Sequence, residues 1–239
     1  CEYGGDKGIF GYGHAGSYQS MTNLVSNAGV VGTDVTGVGQ TRGELAACSY
    51  GEDKGIFGYG YKAHSAVSMT NLVSNSGVVS TDVTGVGTAR YGPTACEYGT
   101  DKGIFGFGQA GGHVSMTNLV SNAGVVGTDV TGVGTARQGV GACGYGDDKG
   151  IFGFGSGLTA VTNLVSNTGV VATDTTGVGT ARQYLAATQY GGDKGIFGFG
   201  SDASGVCDIT NLVSNAGVVA TDITGVGTAR SGPAACSFK

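Results

Sequence analysis

Apolar residues fall in short runs separated by small and polar ones, and no stretch repeats them at helical spacing. In residues 46–92 the runs read Ala-Ala-Cys-Ser-Tyr (46–50), Gly-Ile-Phe-Gly-Tyr (55–59), Met-Thr-Asn-Leu-Val (69–73) and Val-Val-Ser-Thr-Asp-Val (78–83). Tyr-Gly-x-Asp-Lys-Gly joins the first run to the second, and Ser-Asn-Ser-Gly at 74–77 joins the third to the fourth. Both connections hold the Gly, Asn and Asp that accept positive φ in tight hairpins. The pattern predicts four antiparallel strands and almost no helix.

The same pattern is written five times. Asp-Lys-Gly-Ile-Phe-Gly begins at Asp6, Asp53, Asp101, Asp148 and Asp193, at spacings of 47, 48, 47 and 45 residues. Periods of this length mark propeller blades or solenoid turns, whose units bury a core only against neighbours. The predicted organisation is one domain over 1–239, with units at about 1–47, 48–95, 96–142, 143–187 and 188–235. Residues 236–239 are expected to complete the first unit. All length variation sits in residues 14–21, 61–69, 109–116, 156–161 and 201–209, which are 8, 9, 8, 6 and 9 residues long. Surface loops tolerate such changes and packed strands do not.

Composition refines this picture. The 50 glycines recur at fixed places, beside fixed Ile, Leu, Val, Phe and Tyr, so they read as turn and close-packing positions. Framework acids and bases cancel, and the net charge of −5 comes from variable positions such as Glu44, Glu52, Asp147 and Asp202. No basic stripe exists to follow a nucleic acid, and no apolar run is long enough to span a bilayer. The chain opens at Cys1 without a Met, and the expectation is a processed product or an excerpt.

Four strands per unit is the grammar of a β-propeller blade. Ile56-Phe57-Gly58-Tyr59-Gly60, then Thr88-Ala89-Arg90 and Thr94-Ala95-Cys96, follow the order of a hydrophobic strand ending in glycines, an Arg, and the next small-residue strand. In this the chain resembles the kelch repeat, across all five units. It departs in having no Trp in the fourth strand and Gly-Val-Gly where kelch repeats carry a Pro-containing loop. The repeats are also similar to those of structural proteins of aquatic tailed bacteriophages. Kelch propellers usually have six or seven blades, whereas the five units here predict an all-β, five-bladed β-propeller of four-stranded antiparallel blades. Closure is expected by pairing of the N- and C-terminal strands, with Pro233 to Phe238 completing the blade of Gly8-Ile9-Phe10; an open β-solenoid is the rival.

Such connectivity puts the length-variable loops on one face with the next most variable stretches, among them Tyr91-Gly92-Pro93 and Gln183-Tyr184-Leu185. Candidate binding residues on that face are His14, Tyr18, Tyr61, His64, Tyr91, His113, Gln138, Tyr184 and Asp202. The tyrosines offer stacking surfaces to sugars or a protein. The histidines occupy different offsets in three units, so no metal is assigned. The repeated Asp6-Lys7 element is expected to cap a turn, since one isolated Asp per unit falls short of the oxygens calcium needs. The once-per-unit arginines, Arg42 to Arg230, are expected to bond carbonyls or an Asp between neighbours. Cys48, Cys96, Cys143 and Cys236 fill one slot, held by Thr188 in the remaining unit, and read as buried thiols. A disulfide from Cys1 to Cys207 or Cys236 is the alternative.

No nucleophile–base set, metalloprotease motif, P-loop or dinucleotide fingerprint is present. The expected function is non-enzymatic and needs no cofactor: a virion-associated or extracellular structural protein that contacts partners through one face, with an oligomer or a larger assembly open to it. Its partners would be other structural proteins or cell-surface glycans. A lectin-like module with repeated shallow sites is the alternative.

Overall fold

A computed structural model describes residues 1–237. Its described residues form strands, turns and irregular segments, with no helix. Each unit contributes a three-stranded antiparallel sheet. Unit 1 holds β1 (Glu2–Tyr3), β2 (Lys7–His14) and β3 (Tyr18–Val25). Unit 2 holds β4 (Ala46–Tyr50), β5 (Lys54–Gly58) and β8 (Thr70–Val73), with a small outlying hairpin of β6 (Tyr61–Lys62) and β7 (Ser65–Ala66). Unit 3 holds β9 (Thr94–Tyr98), β10 (Lys102–Gly106) and β11 (Thr117–Val120). Unit 4 holds β12 (Gly141–Tyr145), β13 (Lys149–Gly155) and β14 (Thr159–Val165), and unit 5 holds β15 (Ala186–Tyr190), β16 (Lys194–Asp202) and β17 (Gly205–Val213).

The first turn folds as its composition dictates. Gly51 and Glu52 have φ of 58° and 68°, and the same pair of left-handed residues recurs in every unit. The fourth run, by contrast, never becomes a strand. In unit 2 it meets β8 at the isolated bridges Val73↔Val79 and Thr70↔Val83, and between them Ser80 N donates to Leu72 O at 2.8 Å while Leu72 N donates to Ser80 Oγ at 2.9 Å. The Asn71 side chain joins in, its Nδ2 donating to Ser80 O at 3.0 Å and Asp82 Oδ1 at 3.0 Å. Side chains thus take up part of the bonding between the two runs, the pairing is not a continuous ladder, and the sheets end at three strands instead of four.

Sheets are joined by an aromatic at a bulge. The residue after Phe-Gly (Tyr12, Tyr59, Phe107, Phe154, Phe199) has φ between 61° and 64° in all five units. Where the flanking strands run on, in units 1, 4 and 5, the register of strands two and three shifts at this point. A non-glycine residue there costs on the order of 1 kcal/mol or more and persists only where packing fixes it. Packing does so here: Tyr59 meets Phe105 of the next unit edge-on at 5.2 Å, and Phe107 meets Phe152 at 5.1 Å. On the ring's other side lies a buried arginine of its own unit, with Arg90 4.0 Å from the Tyr59 centroid. The apolar clusters therefore lie between units; one joins Cys48, Tyr50, Ile56 and Tyr59 of unit 2 to Phe105 and Val120 of unit 3.

The first strands of successive units stand side by side and line one cavity of about 100 Å³, together with residues 235–237. The termini differ from expectation. Cys1 exchanges backbone bonds with Ile9, as Cys48 pairs with Ile56, so the N-terminal residues themselves complete the first sheet. With that edge of β2 taken, residues 233–237 form no strand, and Phe238 lies outside the described residues.

Candidate functional site

The two variable sets of segments meet through the backbone. Gly43, in the connection leaving unit 1, exchanges N–H···O bonds of 3.0 and 2.8 Å with Tyr61 in the loop of unit 2. Tyr91 and Gln109 do the same at 3.1 and 2.8 Å, and Gln183 and Ser201 at 2.9 and 2.8 Å. Ser156 N donates to Gln138 O at 2.8 Å, and Gln138 N to Ser156 Oγ at 2.9 Å. Successive connections are tied as well, through Gly92 N to Glu44 O and Tyr184 N to Gly139 O. Residues free to differ between units thus form one continuous surface.

An aromatic file crosses it. His14 stands edge-on to Tyr18 at 5.2 Å, Tyr18 to Tyr61 at 6.4 Å, and Tyr61 to Tyr91 at 4.8 Å. The three tyrosines come from units 1 and 2 and the connection to unit 3, and all are half-buried. Beside the file lies an open concavity of about 510 Å³ lined by Ser17, Tyr18, Gln40, Thr41, Lys62 and Ala63. Lys62 is the one Lys or Arg in the five length-variable stretches. Farther along, Gln138 Nε2 donates to the Tyr184 hydroxyl at 3.2 Å, and Tyr184 remains 43 % exposed.

The other candidates are dispersed. His64 is exposed in the β6–β7 turn with φ of 71°. His113 is exposed, and each ring nitrogen lies 3.4 Å from Ser156 Oγ. No group of three His, Cys, Asp or Glu stands together for a metal among the described residues. The Asp202 carboxylate is occupied by its own turn, accepting from Ser204 N at 2.7 Å, Ser204 Oγ at 2.6 Å and Gly205 N at 3.1 Å, which hold it below its ordinary pKa. Ser17, Gln40, Thr41 and Lys62 join the surface without having been singled out by sequence; only the isolated positive charge of Lys62 could have pointed there.

The framework polar residues are engaged in structure. Asp53 binds Lys54 at 2.9 Å and Asn75 at 3.1 Å. Arg137, fully buried, donates from Nε to Phe154 O at 2.7 Å and from a terminal nitrogen to Asn163 Oδ1 at 2.6 Å, both in the next unit. Burial draws its pKa down to about 10, and the nearby Asp174 counters that only in part.

All six cysteines are free, so the alternative of a disulfide from Cys1 to Cys207 or Cys236 is not formed. Cys207 lies in the outer part of β17, its Sγ 3.5 Å from Gly200 O, whereas Cys1 and Cys236 line the inner cavity. Burial pushes the Cys48 thiol up to about 12, with Glu97 adding to the shift, and the Cys143 thiol up to about 12. Such groups are inert at neutral pH. No protein-family model and no curated protein matches the chain.

Proposed function

We propose that the chain is a propeller-type array of blades that works without catalysis, as a structural protein in a virion or an extracellular assembly. The kelch-like and phage-like wording of its repeats, noted above, motivates the setting. The observation that carries the binding role is the continuous surface formed by the segments that differ most between units, crossed by the Tyr18–Tyr61–Tyr91 file. Rigid sheets beneath and divergent aromatic and polar residues above suit recognition of another protein. The outer run adds a second apolar element, since Val30, Val78, Val125, Val170 and Val218 are each 64–66 % exposed. Repeated exposed valines suit burial in an assembly.

The polar concavity beside Tyr18, with Gln40, Thr41 and Lys62, favours one second reading, a carbohydrate-binding module. Glycan-array binding, read with and without free sugar, separates the two. The structural reading expects no sugar-competed signal, and density for the chain on a particle or filament with its loop face against a neighbour. Sugar-competed binding that is lost in Tyr61→Ala replaces it with the carbohydrate reading.

A further inference from the structure

Four interfaces between consecutive units are alike, and the surfaces of a fifth stand open. Phe57, Phe105, Phe152 and Phe197 are at most 3 % exposed under the aromatic of the preceding unit, but Phe10 is 45 % exposed. Asp82, Asp129, Asp174 and Asp222 each accept a backbone N–H from the unit before. Asp34 bonds Asn23 of its own unit at 2.8 Å and, among the described residues, receives nothing from another unit. At the far end, Arg230 is exposed while its four counterparts are fully buried, and Tyr190 is 38 % exposed against 3–5 % for its counterparts. Among the described residues, Gly191 N and Thr228 N lack the partners that Gly146 N finds in Asp193 O at 2.7 Å and Thr180 N in the Asp222 carboxylate at 3.0 and 3.1 Å.

The inner strands count differently from the sheets. Each inner sulfur lies over a glycine of the following unit's second strand. A Cβ on Gly103 would stand 2.6 Å from Cys48 Sγ, on Gly150 2.7 Å from Cys96, and on Gly195 2.6 Å from Cys143. By the same relation Cys236 lies over Gly8, at 3.6 Å from such a Cβ, and Ser237 Oγ bonds Glu2 Oε1. Residues 234–237 therefore occupy the inner place immediately before unit 1, a place that belongs to none of the five sheets.

We propose that the open sector is a docking site for the second, third and fourth runs of a sixth repeat unit, whose first run is residues 234–237. The chemistry of the two faces specifies this occupant. Its phenylalanine would cover Phe199 and its aromatic would cover Phe10. Its Asn and Asp would receive Arg230 and Thr228 N–H, and its own Arg and Thr would reach Asn23 and Asp34. Every one of these pairings is already made between other units, the Arg–Asn bond at two of the four interfaces, so the occupant continues an interface the fold repeats.

The test is a chain in which a copy of residues 50–92 follows Ser237, compared with the unmodified chain by amide hydrogen exchange, melting and mass. In the unmodified chain, Gly191 and Thr228 should exchange about tenfold or more faster than Gly146 and Thr180. In the extended chain their protection should match those counterparts, with a monomeric mass and a melting point higher by roughly 5 °C. Unchanged exchange at both amides in a folded extended chain overturns the proposal. A second comparison stands without the extension: Phe10→Leu should leave the melting point of the unmodified chain in place, while Phe57→Leu lowers it. Equal losses, or protection at Gly191 that grows with protein concentration, would mean that unit 5 or a second copy covers Phe10, and would overturn it too.

Discussion

Asp129 accepts three hydrogen bonds from Thr88 of the preceding unit, two from the backbone N–H at 3.2 and 3.0 Å and one from the hydroxyl at 2.7 Å. Asn118 of its own unit adds a fourth at 3.0 Å. Burial alone would raise this carboxyl, yet these donors hold it below its ordinary pKa. Removing it takes from Thr88, at the exposed rim of the interface, its acceptor in the next unit. Asp129→Ala is expected to cost roughly 2 kcal/mol in urea unfolding. Asp34→Ala removes a carboxylate that, among the described residues, has no donor from another unit, and should stay within about 0.5 kcal/mol. Equal costs at the two positions would contradict the account of inter-unit bonding.

Glycine in the second strand is set by the sulfur above it. At Gly103 a methyl would press on Cys48 Sγ at 2.6 Å and Ser49 O at 3.2 Å, so Gly103→Ala should destabilise by about 1–3 kcal/mol. At Gly8 the nearest atoms stand at 3.5 and 3.6 Å, ordinary contact distances. Gly8→Ala should be neutral or slightly stabilising, because a strand glycine has excess freedom to lose. Thermal melting of the two variants distinguishes them.

Thiol reactivity should follow burial. Cys1 and Cys236 are half-buried, whereas Cys48, Cys96 and Cys143 are buried and their thiols raised well above the ordinary value, chiefly by desolvation. Brief alkylation of the native chain at about pH 8 is expected to label Cys1 and Cys236 first and spare the other three until denaturant is added. Peptide mass mapping reads the order. Early labelling of Cys96 would mean the inner cavity is open.

Acid should weaken all units together. Asp6, Asp53, Asp101, Asp148 and Asp193 are held below the usual 3.8, first by hydrogen bonds from the adjacent lysines. Between the unfolded and folded values the unfolded chain binds more protons. The contribution is therefore complete above the unfolded value and is lost as pH falls through the folded one. These turns are exposed, so each effect is small and screened by salt. Melting points between about pH 5 and pH 2 should fall progressively, and Asp101→Asn should flatten the slope.

What the sequence revealed depended on how local each cause was. Tyr-Gly-x-Asp-Lys announced its hairpin because two adjacent left-handed residues demand that wording. The three full strands were legible for the same reason. The fourth was not, since Val78 to Val83 reads as a strand, whereas its bonds to the third run are shared between backbone and the side chains of Asn71 and Ser80. Nor could the pattern choose between Cys1-Glu2-Tyr3 and Cys236-Ser237 as partner for Gly8 and Ile9; both carry the same slot residue, and the edge goes to the nearer in sequence. On the loop face, loop length variation located the surface. The edge contact of Tyr61 with Tyr91 depends on the Gly43–Tyr61 and Tyr91–Gln109 bridges between units, which no single repeat encodes. Asp202 was indistinguishable from a ligand-binding acid until its own turn claimed it.

The left-handed aromatics impose a direction on how the fold comes apart. Each such ring is held by the phenylalanine of its successor, and Phe199 has no described successor; Arg230, 3.7 Å from its centroid, is itself exposed. Unravelling should begin there and at the bare edge of Phe10, and travel inward one sheet at a time. The middle sheets, flanked on both sides, would be the last to let go.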